Sequence, residues 1–223
     1  MDLELGEFVD FAAPSRIASA VRRGEAERKR LVAHSHDSRR RRDLEEFVRD
    51  EFFLYFKARV RCFMPQLLAL HDRADRIHAV VGCRRAAAEP LFLETYMRDP
   101  VERSIARRTG VEVARDAIVE IGGLACCGPR AAREMVEALI PFLLGEGFTW
   151  VVFTGTDTVK DVFRRINLDP TVLCRANPEL LREGREDWGS YYDHNPEVMA
   201  GRLRDGAAAL QLRKVRGRQG EPV

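Results

Sequence analysis

The sequence predicts an α/β fold built on a mixed sheet. Strand-like and helix-like segments follow one another in the order strand, helix, hairpin, helix, strand, helix, strand, helix. Such alternation is typical of helices packed on a sheet. A second observation is the junction Gly128–Pro129, where an apolar run stops and an amphipathic segment begins. With 45% hydrophobic residues in 223, the chain can bury one sizeable core.

Residues 1–28 are expected to form a basic, flexible extension, with one short helix at Ile17–Arg23. Ten Lys or Arg and three Asp or Glu lie between Arg16 and Arg42, a local charge of +7. The formal net charge of +2 therefore leaves a remainder of −5. A domain that binds nucleic acid is usually basic throughout, so a nucleic-acid partner is not expected.

The first elements of the domain are a strand and a helix. A short strand is predicted at 29–33. Asp37 and Ser38 offer a helix N-cap, and apolar residues then recur at helical spacing to about Phe56. The basic run Arg39–Arg42 is interpreted as a solvated first turn, with contact to an anion or a membrane surface as the alternative.

The middle of the chain predicts a hairpin and a helix. Two strand-like runs at 66–71 and 77–84 flank a polar turn. A short amphipathic helix over 101–108 ends at Gly110.

The second half gives the clearest pattern. An apolar strand at 117–127 leads into a helix that begins at Pro129, and Pro141 should kink or shorten that helix. The remaining predicted features are a strand over 148–154, a helix over 157–165, a left-handed Asn167, and a carboxy-terminal helix or flexible tail over 204–223. The domain itself is placed at 29–203.

No apolar run is long enough for a membrane helix, and the amino terminus is acidic where a secretory signal would be basic. The protein is therefore expected to be cytoplasmic and not to contact a membrane. Five cysteines, an odd number, favour reduced thiols over a disulfide framework. A structural role is expected for Cys126 and Cys127, with a reactive Cys127 as the alternative.

The strand–Gly–helix junction is a candidate phosphate site. A helix amino terminus presents free N–H groups and a positive dipole end. Gly128 allows close approach of a ligand to the backbone, and Arg130 and Arg133 add forked donors on the first turns.

Glu120 is a second candidate because it is the single charge in an apolar strand. Partial burial would raise its pKa and suit it to act as a general base. The structural alternative is a salt bridge to Arg84 or Arg85, and both interpretations can hold together.

Other features are weaker. His34 and His36 could share a strand face, but no second ligand pair accompanies them, so no metal site is predicted. The cluster Trp188–Tyr192 either packs on the sheet or brings a phenol to the cleft.

The strand–Gly–helix–strand–helix block resembles the coenzyme-A half of the GNAT superfamily of N-acyltransferases. Gly128 and Arg130 match part of that family's pyrophosphate loop, which here lacks the full glycine signature. Phe163 falls where many members carry a tyrosine general acid. This resemblance implies a three-layer fold with a central mixed, mostly antiparallel sheet.

A resemblance to the thermostable hemolysin family covers Leu31 to about Gly201. It rests on four strings, Phe63-Met-Pro-Gln-Leu-Leu-Ala-Leu70, Glu89-Pro-Leu-Phe-Leu-Glu-Thr-Tyr96, Trp150-Val-Val-Phe-Thr154 and Trp188-Gly-Ser-Tyr-Tyr-Asp193. In the central strand, Gly123 replaces the family's usual asparagine.

The same region is similar to the acyl-homoserine-lactone synthases. Val80 to Arg85 looks like their Val-x-Gly-x-x-Arg strand, with Arg85 on the conserved arginine. Glu120 falls on the glutamate of their Glu-x-Ser-Arg strand, where Gly122 and Gly123 replace the serine and arginine.

These resemblances imply an N-acyltransferase that moves an acyl group from a thioester, acyl-CoA or an acyl-carrier protein, to a small amine or amino-acid-like acceptor. No permanently bound cofactor is implied, and the oligomeric state stays open. Two alternatives remain, a membrane-active protein, supported by the basic amino-terminal stretch, and a non-catalytic acyl-thioester-binding module.

In this interpretation Glu120 deprotonates the acceptor amine, Arg85 belongs to the catalytic site, and Tyr191 or Tyr192 protonates the leaving thiolate. Six residues are expected to bind the thioester along the strand backbone and at its phosphates: Leu124, Ala125, Cys126, Gly128, Arg130 and Arg133.

Overall fold

Seven strands form one mixed sheet in the computed structural model, which describes residues 29–218. In chain order they are β1 (Arg30–His34), β2 (Gln66–His71), β3 (Ile77–Arg85), β4 (Ile118–Cys126), β5 (Trp150–Gly155), β6 (Thr171–Arg175) and β7 (Glu197–Arg202). Across the sheet the order is β1-β2-β3-β4-β5-β7-β6. Among these strands only β4 and β5 run parallel, and the other neighbours are antiparallel. The predicted mixed, mostly antiparallel sheet is confirmed.

Five α-helices cover the two faces of this sheet. They are α1 (Arg41–Phe56), α2 (Val101–Thr109), α3 (Pro129–Gly145), α4 (Asp157–Arg165) and α5 (Leu203–Arg218). Because successive strand residues point to opposite faces, β4 contributes Ile118 to the core beneath α2 and Val119 to the core beneath α3 and α5. The core beneath α1, which includes Ala125, lies on the same face as that beneath α2. The predicted three layers follow from this alternation.

The start of α1 differs from the sequence prediction. Ser38 does stabilise the entry, since its carbonyl accepts the N–H of Arg41 at 2.9 Å, but the N-cap position is Arg40. Arg41 is buried, whereas a solvated basic turn was predicted for the whole run. Its guanidinium donates to the carbonyls of Met64 and Pro65 at 2.7 and 3.1 Å and so holds the segment before β2 against the helix.

Most predicted element boundaries from α2 onward are confirmed. Pro129 is the first residue of α3, Gly110 ends α2 in the left-handed conformation, and Asn167 has a φ of 57°. Pro141 does not shorten α3, which continues to Gly145.

Strands β6 and β7 were not predicted. Each has only five or six residues, and β7 contains Gly201. β7 pairs with β5 on one side and β6 on the other, so long-range pairing rather than local pattern defines both strands. The short helix predicted at 17–23 lies outside the described residues. A helix does occupy the start of the predicted tail, as α5.

Candidate functional site

Glu120 lies near the middle of the sheet, on the face covered by α1 and α2. Its side chain is only 2% exposed. In the β3–β4 register it stands directly opposite Arg84, so the two side chains share one face. An ionisable group in this position needs polar partners, because its charge is costly to desolvate.

Two backbone N–H groups supply those partners. The Oε1 atom of Glu120 accepts the N–H of Leu93 at 2.9 Å, and Oε2 accepts the N–H of Phe92 at 3.1 Å. Both donors belong to a 3-10 turn, Phe92–Tyr96, that lies over this part of the sheet. The guanidinium of Arg84 is farther away, with Nη1 at 4.0 Å from Oε2.

Burial raises the pKa of Glu120, while the hydrogen bonds from Leu93 and Phe92 and the charge of Arg84 oppose that rise. The net result is a pKa above the ordinary glutamate value. A carboxyl group with a raised pKa is a better proton acceptor than an ordinary carboxylate. The alternative prediction was a salt bridge from Glu120 to Arg84 or Arg85. It holds in part, because Arg84 lies 4.0 Å from the Glu120 carboxylate.

Arg85, for which a catalytic role was predicted, does not face Glu120. As the next residue along β3, it points to the opposite face of the sheet from Arg84. There its Nη2 atom donates to Glu146 at 2.9 Å, and its guanidinium lies 4.7 Å from the centroid of the Phe148 ring. The arginine that faces Glu120 is Arg84.

A cavity of about 300 Å³ opens beside Glu120. It lies between the core beneath α1 and the core beneath α2, and aromatic side chains form much of its wall. Its aromatic residues are Phe52, Phe63, Phe92, Tyr96, Trp188 and Tyr191. Charged residues at the same cavity are Arg59, Arg61, Arg84, Glu120, Glu183 and Asp187.

The structure places both predicted tyrosines at or next to this cavity. Tyr191 lines it directly, with its ring centroid 5.3 Å from that of Trp188. Tyr192 reaches it through Tyr96, since the two hydroxyl oxygens are 2.5 Å apart and Tyr96 lines the cavity. Burial raises the pKa of Tyr96, Tyr191 and Tyr192. All three phenols therefore keep their proton at physiological pH.

The parallel pair β4–β5 separates next to Glu120. Its pairing runs from Ile118 opposite Trp150 to Ile121 opposite Phe153 and then stops. Beyond that point β4 continues through Gly122 and Gly123, and Gly123 adopts a φ of 62° that favours glycine. The backbone of β4 is left without a β5 partner along its last residues.

A second cavity, of about 550 Å³, lies mainly on the other face of the sheet, among α3, α4 and α5. Its wall is largely apolar, with Met135, Leu139 and Phe153 among its residues. Four residues line both cavities and mark where they meet: Ile121, Gly122, Gly123 and Thr154. The two cavities thus meet where β4 and β5 separate.

The predicted strand contacts divide between the two faces. Leu124 lines the second cavity, and Cys126 packs against the core on that side. Ala125 is buried beneath α1. Burial raises the pKa of Cys126 to about 11 and also raises that of Cys127, which argues against the reactive-thiolate alternative.

The predicted phosphate residues lie at the amino terminus of α3. Gly128 has a φ of 119° and precedes the helix. The Nε atom of Arg130 lies 2.8 Å from Glu134, which also pairs with Lys29 at 2.5 Å. Arg133 Nε lies 3.6 Å from a carboxylate oxygen one helical turn later. Acidic partners thus offset part of the positive charge at this end of α3.

Phe163, which falls on the tyrosine position of many GNAT members, belongs to α4. Its ring centroid is 5.2 Å from that of Phe153, and it lines the second cavity. The phenylalanine ring itself carries no hydroxyl.

Within residues 29–218, no group of three or more His, Cys, Asp or Glu side chains is placed to hold a metal ion. In the same part of the chain, no helix combines the length and the apolar character that crossing a membrane requires.

The family model described as thermostable hemolysin matches residues 34–207. No curated protein matches the sequence significantly.

Several solved structures share the fold. FeeM, described as an N-acyl amino acid synthase from uncultured soil microbes, aligns with a TM-score of 0.54 and 13% identity over 84% of this chain and 97% of its own. The acyl-homoserine-lactone synthase LasI aligns with a TM-score of 0.53 and 11% identity over 79% and 91%. BjaI, a CoA-dependent acyl-homoserine-lactone synthase solved with SAM and isopentyl-CoA, aligns with a TM-score of 0.53 and 15% identity over 87% of this chain and 91% of its own. The fold predicted from the sequence is confirmed by these similarities.

Proposed function

The chain belongs to the thermostable hemolysin family, and we propose that it is an N-acyltransferase. It would move an acyl group from a thioester, acyl-CoA or an acyl-carrier protein, to a small amine or amino-acid-like acceptor. The observation that carries this proposal is the position of Glu120, a buried carboxyl group beside the point where two cavities meet through the sheet. Proteins that share the fold are described as an N-acyl amino acid synthase and as acyl-homoserine-lactone synthases, which supports this class of reaction.

The donor thioester is assigned to the second cavity and the opening between β4 and β5. The apolar wall suits an acyl chain, since burying it removes apolar surface from water. The pantetheine amides can pair with β4 from Leu124 to Cys126, where β5 no longer does. The phosphates would then reach Gly128, Arg130 and Arg133 at the start of α3.

The acceptor amine is assigned to the aromatic cavity. Its nitrogen attacks the thioester carbonyl carbon, a C–N bond forms and the C–S bond breaks. Glu120 takes the proton lost by the nitrogen, directly or through a water. Holding both reactants at one opening supplies much of the rate in such a direct transfer.

The leaving thiolate needs a proton donor. Because Phe163 has no hydroxyl, this role is assigned to Tyr191 or to the pair Tyr96–Tyr192. Their neutral phenols lie on the cavity side of the opening. No role is assigned to Arg85, which pairs with Glu146 and lines neither cavity.

The test is an assay of thiol release and acylated product. The purified protein is incubated with acyl-CoA and acyl-carrier-protein thioesters and a panel of primary amines, and product is detected by mass spectrometry. Glu120→Gln should lower kcat by on the order of 100-fold while thioester binding, followed by thermal shift, is retained.

Glu89→Gln is the matched control. Glu89 also pairs with Arg84, at 3.2 Å, but does not line the aromatic cavity, so this variant should retain turnover. Unchanged turnover in Glu120→Gln would remove Glu120 from the mechanism. Thioester binding without any product in the wild type would instead support the non-catalytic binding module.

A further inference from the structure

The 3-10 turn Phe92–Tyr96 supplies both N–H groups that bind Glu120. Backbone hydrogen bonds close its two ends, from the N–H of Glu94 to the carbonyl of Leu91 and from the N–H of Met97 to the carbonyl of Glu94. Side chains of the turn add contacts to the segments around it. One of those side chains is ionic.

The Glu94 carboxylate fixes the chain on both sides of the turn. Its Oε2 atom accepts the N–H of Leu91 at 2.9 Å, just before the turn begins. Its Oε1 atom accepts the N–H of Val101 at 3.0 Å, at the first residue of α2. One carboxylate thereby joins the two ends of the segment that presents its N–H groups to Glu120.

Arg115 in turn fixes the carboxylate. Its Nη1 and Nη2 atoms donate to the two oxygens of Glu94 at 2.6 and 2.8 Å, a bidentate pair with strict geometry. Its Nε atom donates to the carbonyl of Ala86, just after β3, at 2.8 Å. Although burial alone would raise it, the pKa of Glu94 is lowered to about 2 by the Arg115 hydrogen bond and the N–H groups of Leu91 and Val101.

We infer that Glu94 and Arg115 are a positioning pair, which sets the 92–96 turn so that its two N–H groups bind and orient the carboxylate of Glu120. The inference rests on the proposed function, because it concerns the same site. Neither residue lines either cavity. They act through the backbone of the turn, as outer partners act through a directly bound ligand elsewhere.

Few other groups face Glu120. From β3 the charged neighbour is Arg84, which also pairs with Glu89. From the turn they are Glu94 and Tyr96, which interact with Glu120 through space. From the segment before β7, Tyr191 lines the same cavity as Glu120.

The experiment compares three variants. Glu94→Ala removes the bonds to Leu91, Val101 and Arg115, while Arg115 keeps Glu102 at 2.8 Å and the carbonyl of Ala86, so the guanidinium is not left unpaired. Glu94→Gln keeps a neutral acceptor at this position. Its pH profile should therefore lie between that of Glu94→Ala and that of the wild type. Glu102→Gln is the control, because it removes the other acidic partner of Arg115 and leaves the turn attached.

The expected result is a change in the pH profile of kcat/KM. When the turn is released, Glu120 loses two hydrogen bonds to its ionised form, so its pKa rises further. The lost charge of Glu94 acts in the opposite direction but is the smaller effect. The kcat/KM of Glu94→Ala should therefore fall about tenfold on the acid limb and converge with the wild type at high pH.

Three results would overturn the inference: a Glu94→Ala profile that superimposes on the wild type, an equal loss at every pH, or the same shift in Glu102→Gln. A second measurement, NMR titration of the ¹³C-labelled Glu120 carboxyl, needs no turnover. If the wild type transfers no acyl group, the proposed function fails, and the titration still decides whether Glu94 acts on Glu120.

Discussion

Two glycines stand opposite each other on β3 and β4, and the side chain of Met64 lies across both. A Cβ added at Gly82 would come within 2.9 Å of Met64 Cβ and 3.0 Å of its Cγ and Sδ. A Cβ added at Gly122 would meet only the terminal methyl, Cε, at 2.6 Å, with Sδ at 3.7 Å. Rotation about the outer bonds of the Met64 side chain relieves the contact at Gly122. It does not relieve the contact at Gly82, which involves Met64 Cβ.

The two alanine substitutions should therefore differ in their effect on stability. Forcing a methyl group into a packed site costs about 1–3 kcal/mol, and alanine gains about 0.5–1 kcal/mol over glycine within a strand. We expect Gly82→Ala to reduce the free energy of unfolding by about 1–2 kcal/mol. Gly122→Ala should be close to neutral.

Urea unfolding in the Met64→Ala background completes the cycle. Removing the methionine end clears every contact at Gly122, so Gly122→Ala should become stabilising by about 0.5–1 kcal/mol there. Gly82→Ala should remain destabilising, because Cβ of residue 64 is retained. Equal costs for the two glycines in both backgrounds would refute this reasoning.

Two further predictions concern buried polar groups away from the cavities. Arg41→Met should lower the free energy of unfolding by about 2–3 kcal/mol, because two carbonyls before β2 lose their donors. Arg42→Met is the control, since Arg42 is exposed on the same turn and its replacement should be near neutral. Equal urea midpoints for the two variants would contradict the prediction. Hydrogen bonds from His78 and Arg76 hold the pKa of Asp72 well below its ordinary value despite burial. Asp72 therefore stabilises the fold above its unfolded pKa, and this contribution is lost as the pH falls toward the lower folded pKa. Asp72→Asn should accordingly be destabilised at pH 7 and lose that disadvantage in acid, as measured by thermal unfolding from pH 2 to 7; a difference that does not depend on pH would contradict it.

Local pattern was enough to predict most of the fold. Helices α1 and α3 and the β2–β3 hairpin could be predicted from the spacing of apolar residues and from the residue types at caps and turns. β6 and β7 could not be found in this way, because their pairing with β5 and with each other creates them. Pro141 lies inside α3 and does not end it, because the helix continues to Gly145.

The candidate site likewise has features that the sequence predicts and features that only the folded structure shows. Glu120 stands out in the sequence as one charge in an apolar strand. Choosing Arg84 rather than Arg85 as its neighbour needs the β3–β4 register, and a shift of one residue changes the face. The N–H groups of Phe92 and Leu93 leave no signature in sequence at all, because every non-proline residue carries one.

The separation of β4 and β5 makes the sheet two antiparallel ladders, β1 to β4 and β5-β7-β6, which share four residue pairs within the described strands. A change in the angle between the ladders would alter the width of the opening while every antiparallel pair stayed intact. A molecule lying in the opening and pairing with β4 would contact both ladders and hold them at a fixed angle. Amide hydrogen exchange along the facing edges of β4 and β5 would then slow together on binding, because the same molecule would protect both edges.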